Sequence, residues 1–176
     1  MLRTAHIALF LFLFFQVKAQ SVKSIKDFSI VSANGIEKTI KDFDGFKALV
    51  IMVDDQDCAY SEYYIDRFEN LKNEFKEEVA FIKVTPSNVN PAGQNVYRDQ
   101  KGTLLKQLGA KKITEVFLID LSQGNQIVYS GAFDDNPQIS IGVDEHYLKN
   151  ALNQLISESK IIKPRTRPAG CVIKKI

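Results

Sequence analysis

The chain has 176 residues, 45% of them apolar and 25% charged, with a formal net charge of +2. That length and composition fit one ordinary globular domain and exclude a disordered chain. Near balance between 23 basic and 21 acidic side chains argues against a nucleic-acid binder, and two cysteines are too few for a disulfide-dense scaffold or a four-cysteine zinc module.

Arg3 and His6 precede an unbroken apolar run, Ile7 to Phe15, too short to cross about 30 Å of hydrocarbon as a helix. Followed by Val17-Lys18-Ala19, it has the pattern of a secretory signal peptide with small residues at the cleavage site. Gln20 stands where a bacterial lipoprotein would carry cysteine. The expectation is an export signal at 1–19, one domain at 20–159 and a tail at 160–176, with the mature protein soluble and unlipidated in the periplasm or outside the cell. Cleavage leaves 157 residues with 21 basic and 21 acidic side chains, so no net field draws the protein to nucleic acid or to an anionic membrane.

Phe28 to Ser32 reads as a short strand, and Asn34-Gly35 as a hairpin turn into a second, Ile36 to Ile40. Ala48 to Val53 is a continuous apolar run, the pattern of a strand covered on both faces. Tyr64, Phe68, Leu71 and Phe75 then repeat at helical spacing, which predicts an amphipathic helix from about Ala59 to Lys76. Val79 to Thr85 is a second buried strand ended by Pro86, and turn formers follow as far as Gly93. Thr103 to Leu108 predicts a short helix stopped by Gly109. Glu115 to Leu121 and Gln126 to Ser130 are strands joined tightly enough to pair antiparallel. Tyr147, Leu148, Ala151, Leu152, Leu155 and Ile156 mark a last amphipathic helix, and Lys160 to Ile176, basic and carrying Pro164 and Pro168, reads as an arm. This order predicts an α/β domain with a mixed central sheet, helices on both faces and an N-terminal β-hairpin extension.

Cys58 falls at the end of a buried strand and the start of a helix, where unpaired N–H groups favour a thiolate. Ser61 lies three residues on, making the local pattern C-x-x-S. Against this, Asp54, Asp55, Asp57 and Glu62 crowd the cysteine in sequence, and nearby negative charge raises a thiol's pKa.

The succession Asp27-Phe28-Ser29, Ala48 to Val53, Cys58 before a helix, Glu115-Val116-Phe117-Leu118-Ile119-Asp120 and Val128 to Pro137 resembles the thioredoxin-like redoxins. With Gly170-Cys171-Val172-Ile173-Lys174 and His146-Tyr147-Leu148, it is similar to a peroxiredoxin-like branch ending in a Gly-Cys-x-Ile-Lys tail. The resemblance implies a thioredoxin-like fold and thiol redox chemistry, with Cys58 in the place of the attacking cysteine. It also implies a reductant, or a disulfide or peroxide substrate, as external partner. Three positions depart from the pattern. Asp55 and Ile51 stand where a peroxiredoxin carries Thr and Pro, Ser61 replaces a near resolving thiol, and Thr114 replaces the proline before the Glu115 strand. Without proline, a cis peptide there would cost about 2.5–4 kcal/mol, so a trans bond is expected before Thr114.

Two cysteines in an exported chain allow one intramolecular disulfide, Cys58–Cys171. It could be a structural bridge, closing a loop of about 113 residues and stabilising by roughly 4–5 kcal/mol. It could equally be a redox pair in which Cys171 resolves Cys58 from an arm. Asp57, Ser61, Thr114, Glu115, Asp134 and Asp135 are candidates for lining the cysteine's pocket, the last two alternatively forming a self-bonded turn with Asn136-Pro137. His146 is read as a surface or capping residue, and no metal or cofactor site is expected, since a copper-delivering site would need two close thiols plus histidine.

Overall fold

Ala48–Val53 (β3) is buried at every residue, and its side chains divide by the two-residue period of a strand. Leu49, Ile51 and Val53 enter one apolar layer, while Ala48, Val50 and Met52 enter the other. The computed structural model, which describes residues 23–174 and so leaves the predicted export signal outside the described residues, builds a seven-stranded sheet around this strand.

The other strands are Ile30–Ser32 (β1), Glu37–Lys38 (β2), Val79–Thr85 (β4), Val96–Arg98 (β5), Val116–Asp120 (β6) and Gln126–Gly131 (β7), and the order across the sheet is β2-β1-β5-β4-β3-β6-β7. β3 runs parallel to β4 and β4 to β5, while β1, β2, β6 and β7 pair antiparallel with their neighbours, which gives the expected mixed sheet. Asn34-Gly35 does turn β1 into β2, with the Gly35 N–H donating to Ser32. β5 was not anticipated. A 3₁₀ turn, Ile40–Phe43, begins where the second hairpin strand was expected to end.

Helices cover both faces. Thr103–Leu108 (α3) packs Leu104, Leu105 and Leu108 on the layer that also holds Cys58. The fully buried Asp99 accepts the Thr103 and Leu105 backbone N–H groups and so serves the open end of this helix. The opposite layer takes Phe68 and Leu71 from Ile65–Phe75 (α2) and Leu148, Ala151 and Leu152 from Tyr147–Ile156 (α4). The single helix expected over 59–76 is two, Ala59–Tyr63 (α1) and α2, which meet at Tyr64, whose N–H donates to Ser61 O three residues back at 3.2 Å. No helix among the described residues is long and apolar enough to cross a membrane.

The segment after α4 is not a free arm. It returns along the outer edge of β7, where Ser130 exchanges backbone hydrogen bonds with Pro164 and Thr166, and then crosses to the loop before β6. Thr166 sits directly against Gly131, whose φ of 146° and missing Cβ both serve the approach; a Cβ there would strike the Thr166 main chain. The Thr166 hydroxyl accepts from Ala132 N–H at 2.9 Å and pairs with the buried Tyr129 hydroxyl at 2.6 Å.

Candidate functional site

Cys58 is the residue immediately before α1, with extended backbone, and is 3% exposed. The turn that delivers it is tied locally: Asp55 O accepts the Cys58 N–H, and the Asp55 carboxylate turns back onto the Asp57 amide at 3.0 Å. The strand behind fixes the turn's start, since Asp54 N–H donates to Val84 on β4. Cys58 is bonded to Cys171, with 6.1 Å between Cα atoms and 113 residues between them in sequence.

Cys171 reaches that position through the loop 111–114. Ile113 N–H donates to Cys171 O at 2.8 Å, and Ile173 N–H donates to Lys111 O at 3.1 Å, with Lys112 opposite Val172 in an antiparallel bridge. Lys112 Nζ adds a bond to Gly170 O at 3.1 Å, and the Thr114 hydroxyl one to Ala169 O at 2.9 Å. Cys171 and Ile173 rest, half-buried, on the apolar layer that contains Cys58.

Thr114 is the most constrained backbone position here. Its preceding peptide is trans, as the missing proline predicts, but its φ is 68°, in the left-handed region that a β-branched residue rarely adopts. Its N–H donates to Val53 O at 2.7 Å, so the loop is pinned to the end of β3. Glu115, 7% exposed, folds its carboxylate under the same loop and accepts the Lys111 and Lys112 N–H groups.

The remaining candidates divide. Ser61 is buried one helical turn beyond Cys58, and its hydroxyl accepts weakly from Asp55 N–H at 3.4 Å. Asp57 is exposed. Asp134 is bound elsewhere: it is 3% exposed, takes Arg67 Nη1 at 2.8 Å and the Tyr64 hydroxyl at 3.2 Å, and sits with the opposite apolar layer. Burial, and then the Asp134 carboxylate, push the Tyr64 phenol far above its ordinary value, so it remains a donor. Asp135 is exposed and accepts Asp144 N–H, nine residues on, and only Asn136 bonds its own neighbouring backbone, accepting from Gln138 and Ile139. His146 is exposed at the residue before α4, and its side chain makes no capping bond.

Sequence reasoning did not single out Lys111, Lys112, Ile113, Ala169 and Gly170 as contact residues. The tail side of every loop–tail bond is a main-chain atom, which carries no residue-type signature; Gly170 beside Cys171 was the one signal available. A groove of about 1150 Å³ lies between β7 and the returning segment, lined among others by Lys23, Lys47, Glu115, Asp120 and Arg165; neither cysteine lines it. Among the described residues no group of three or more metal-ligating side chains comes together.

The same architecture occurs in solved structures. An uncharacterized conserved protein from Geobacillus kaustophilus superposes with a TM-score of 0.74 at 20% identity, over 87% of this chain and 90% of that one. A hypothetical protein from Sinorhizobium meliloti gives 0.73 at 18% identity over 88% and 94%. The pneumococcal exposed lipoprotein thioredoxin Etrx1, from Streptococcus pneumoniae, gives 0.56 at 15% identity over 76% and 99%. These likenesses establish a thioredoxin-like fold. No protein-family model matches the chain, and no curated protein does either.

Proposed function

We propose that the protein is an exported thiol–disulfide oxidoreductase in which Cys58 and Cys171 form the working pair. One observation carries this reading: Cys58, at a strand-to-helix junction of a thioredoxin-like fold, is bonded to a cysteine that lies on a surface segment and not inside the sheet. That segment can leave without dismantling a strand or helix, which a redox cycle requires.

In the reduced form the Cys58 thiolate attacks a partner disulfide. Its sulfur bonds to one partner sulfur, the partner S–S bond breaks, and the other partner sulfur leaves and takes a proton. Cys171 then attacks Cys58 and releases the partner as a dithiol, so this chain loses two electrons and the partner gains them. An external thiol reductant restores the pair. Disulfides fit better than peroxide as oxidant: Asp55, where a peroxiredoxin-like site would place a hydroxyl on the sulfur, spends its carboxylate on the Asp57 amide.

A second reading has its own support. Cys58 is nearly inaccessible in the bonded state and the partner segment is tied by several hydrogen bonds, as suits a permanent clasp. Thiol trapping across a dithiothreitol redox series, on wild type, Cys58→Ser and Cys171→Ser, separates the two. A midpoint above about −300 mV supports exchange chemistry, and a lower one assigns the bond a structural role.

A further inference from the structure

We infer that the backbone edge Lys111–Thr114 is a docking site for an extended cysteine-bearing peptide, selective for glycine immediately before the cysteine, and that residues 169–173 are its resident occupant. This rests on Cys58 being the exchanging thiol. The occupant is held mainly through its main chain: Ala169 O, Gly170 O, Cys171 O and Ile173 N–H each have a partner on the loop. Any extended peptide offers those groups, so they supply affinity without choosing a sequence.

Two side-chain positions are read. Gly170 has φ 131°, and a Cβ on it would collide with the carbonyl oxygen of Ile113 and come within 2.9 Å of the Thr114 hydroxyl. That oxygen cannot retreat: Thr114, bonded through its N–H to Val53, fixes the peptide unit that carries it. Ile173, two residues after the cysteine, rests on the core layer, while Val172 between them is 65% exposed and unread. The site therefore asks for Gly-Cys-x-aliphatic. A partner disulfide presenting that segment takes the tail's place, forms the bond to Cys58, and leaves as a thiol when Cys171 returns to the same edge and attacks.

The test uses the full chain carrying Gly170→Ala and Cys171→Ser, which leaves Cys58 as the sole thiol and, because a Cβ at position 170 would strike Ile113 O, keeps the tail from occupying the edge itself. It is reacted with the peptide Arg-Pro-Ala-Gly-Cys-Val-Ile activated as its thiopyridyl disulfide, and with the counterpart bearing alanine before the cysteine; released thiopyridone is followed by absorbance. The glycine peptide is expected to react roughly 10-fold faster or more, equivalent to about 1.4 kcal/mol of docking preference, while both peptides react equally with glutathione. Equal rates at Cys58 would overturn the docking inference and leave the exchange reading standing. Failure of Cys58 to react even with dithiodipyridine would overturn the exchange reading and, with it, the inference. Gly170→Ala in the otherwise unaltered chain gives an independent measure, because its tail cannot seat: its Cys58–Cys171 bond is expected to re-form roughly 10-fold more slowly, and re-formation at the wild-type rate would also overturn the inference.

Discussion

The hydroxyl of Thr114 donates to the carbonyl oxygen of Ala169 at 2.9 Å, joining a left-handed residue at the end of the central sheet to the segment that brings Cys171 to Cys58. Backbone of this kind in a non-glycine residue costs on the order of 1–3 kcal/mol and persists only where its surroundings over-determine it. Here the Val53 bond on one side and the Ala169 bond on the other do so.

Thr114→Val keeps the shape and the branched Cβ but removes the donor. A hydrogen bond of this kind contributes about 1 kcal/mol net, so the tail should detach more often and the disulfide should be reduced by dithiothreitol roughly 5-fold faster. Acid-quenched gel separation of reduced and oxidised chains reads this directly. An unchanged rate would mean that Thr114 does not hold the tail.

Arg67 and Asp134 form the most enclosed ion pair in the molecule's described part, with side chains 14% and 2% exposed and 2.8 Å apart. Arg67 Nη1 also donates to Asn136 O at 2.7 Å, while its Nε is buried without a partner. Asp134→Ala leaves the guanidinium uncompensated and should destabilise the fold by about 3–5 kcal/mol in urea unfolding. Arg67→Met combined with Asp134→Leu should recover most of that loss, since no charge then remains buried. A double variant as unstable as the single one would refute this account.

Burial pushes the Asp99 carboxyl above its ordinary value of 3.8, against the opposing pull of the Leu105 and Thr103 N–H groups. The folded state thus holds this proton more tightly than the unfolded chain. Its contribution favours folding fully below about pH 3.8 and declines as pH rises through the raised folded value. Asp99→Asn cannot ionise, so the variant should gain stability relative to wild type, its unfolding free energy rising against that of wild type, between about pH 3 and neutrality. A pH-independent difference in parallel urea titrations would contradict the assignment.

Elements with a dense apolar code were legible: β3, β4, α3 and α4 begin and end where the sequence predicts. The break at Tyr64 was not, because Tyr64, Phe68 and Leu71 stay buried on either side of it and the apolar period never falters. β5 escaped because three residues between turns acquire strand geometry only from pairing with β1 and β4. At the site, Cys58, Cys171 and the peptide geometry before Thr114 could be anticipated. The seating of the tail could not, since main-chain bonds leave no mark on composition. Asp134 was misdirected toward the cysteines for a related reason: its cation, Arg67, lies 67 residues away.

The bond between Cys58 and Cys171 closes a covalent ring that includes β4 through β7 and α1 through α4, while β1, β2 and β3 stay outside it. β3 nevertheless lies between β4 and β6, two strands of the ring. A single backbone cut within the ring would therefore yield two fragments that remain covalently joined and separate only on reduction. A cut between β1 and β3 would release a piece held by non-covalent forces alone.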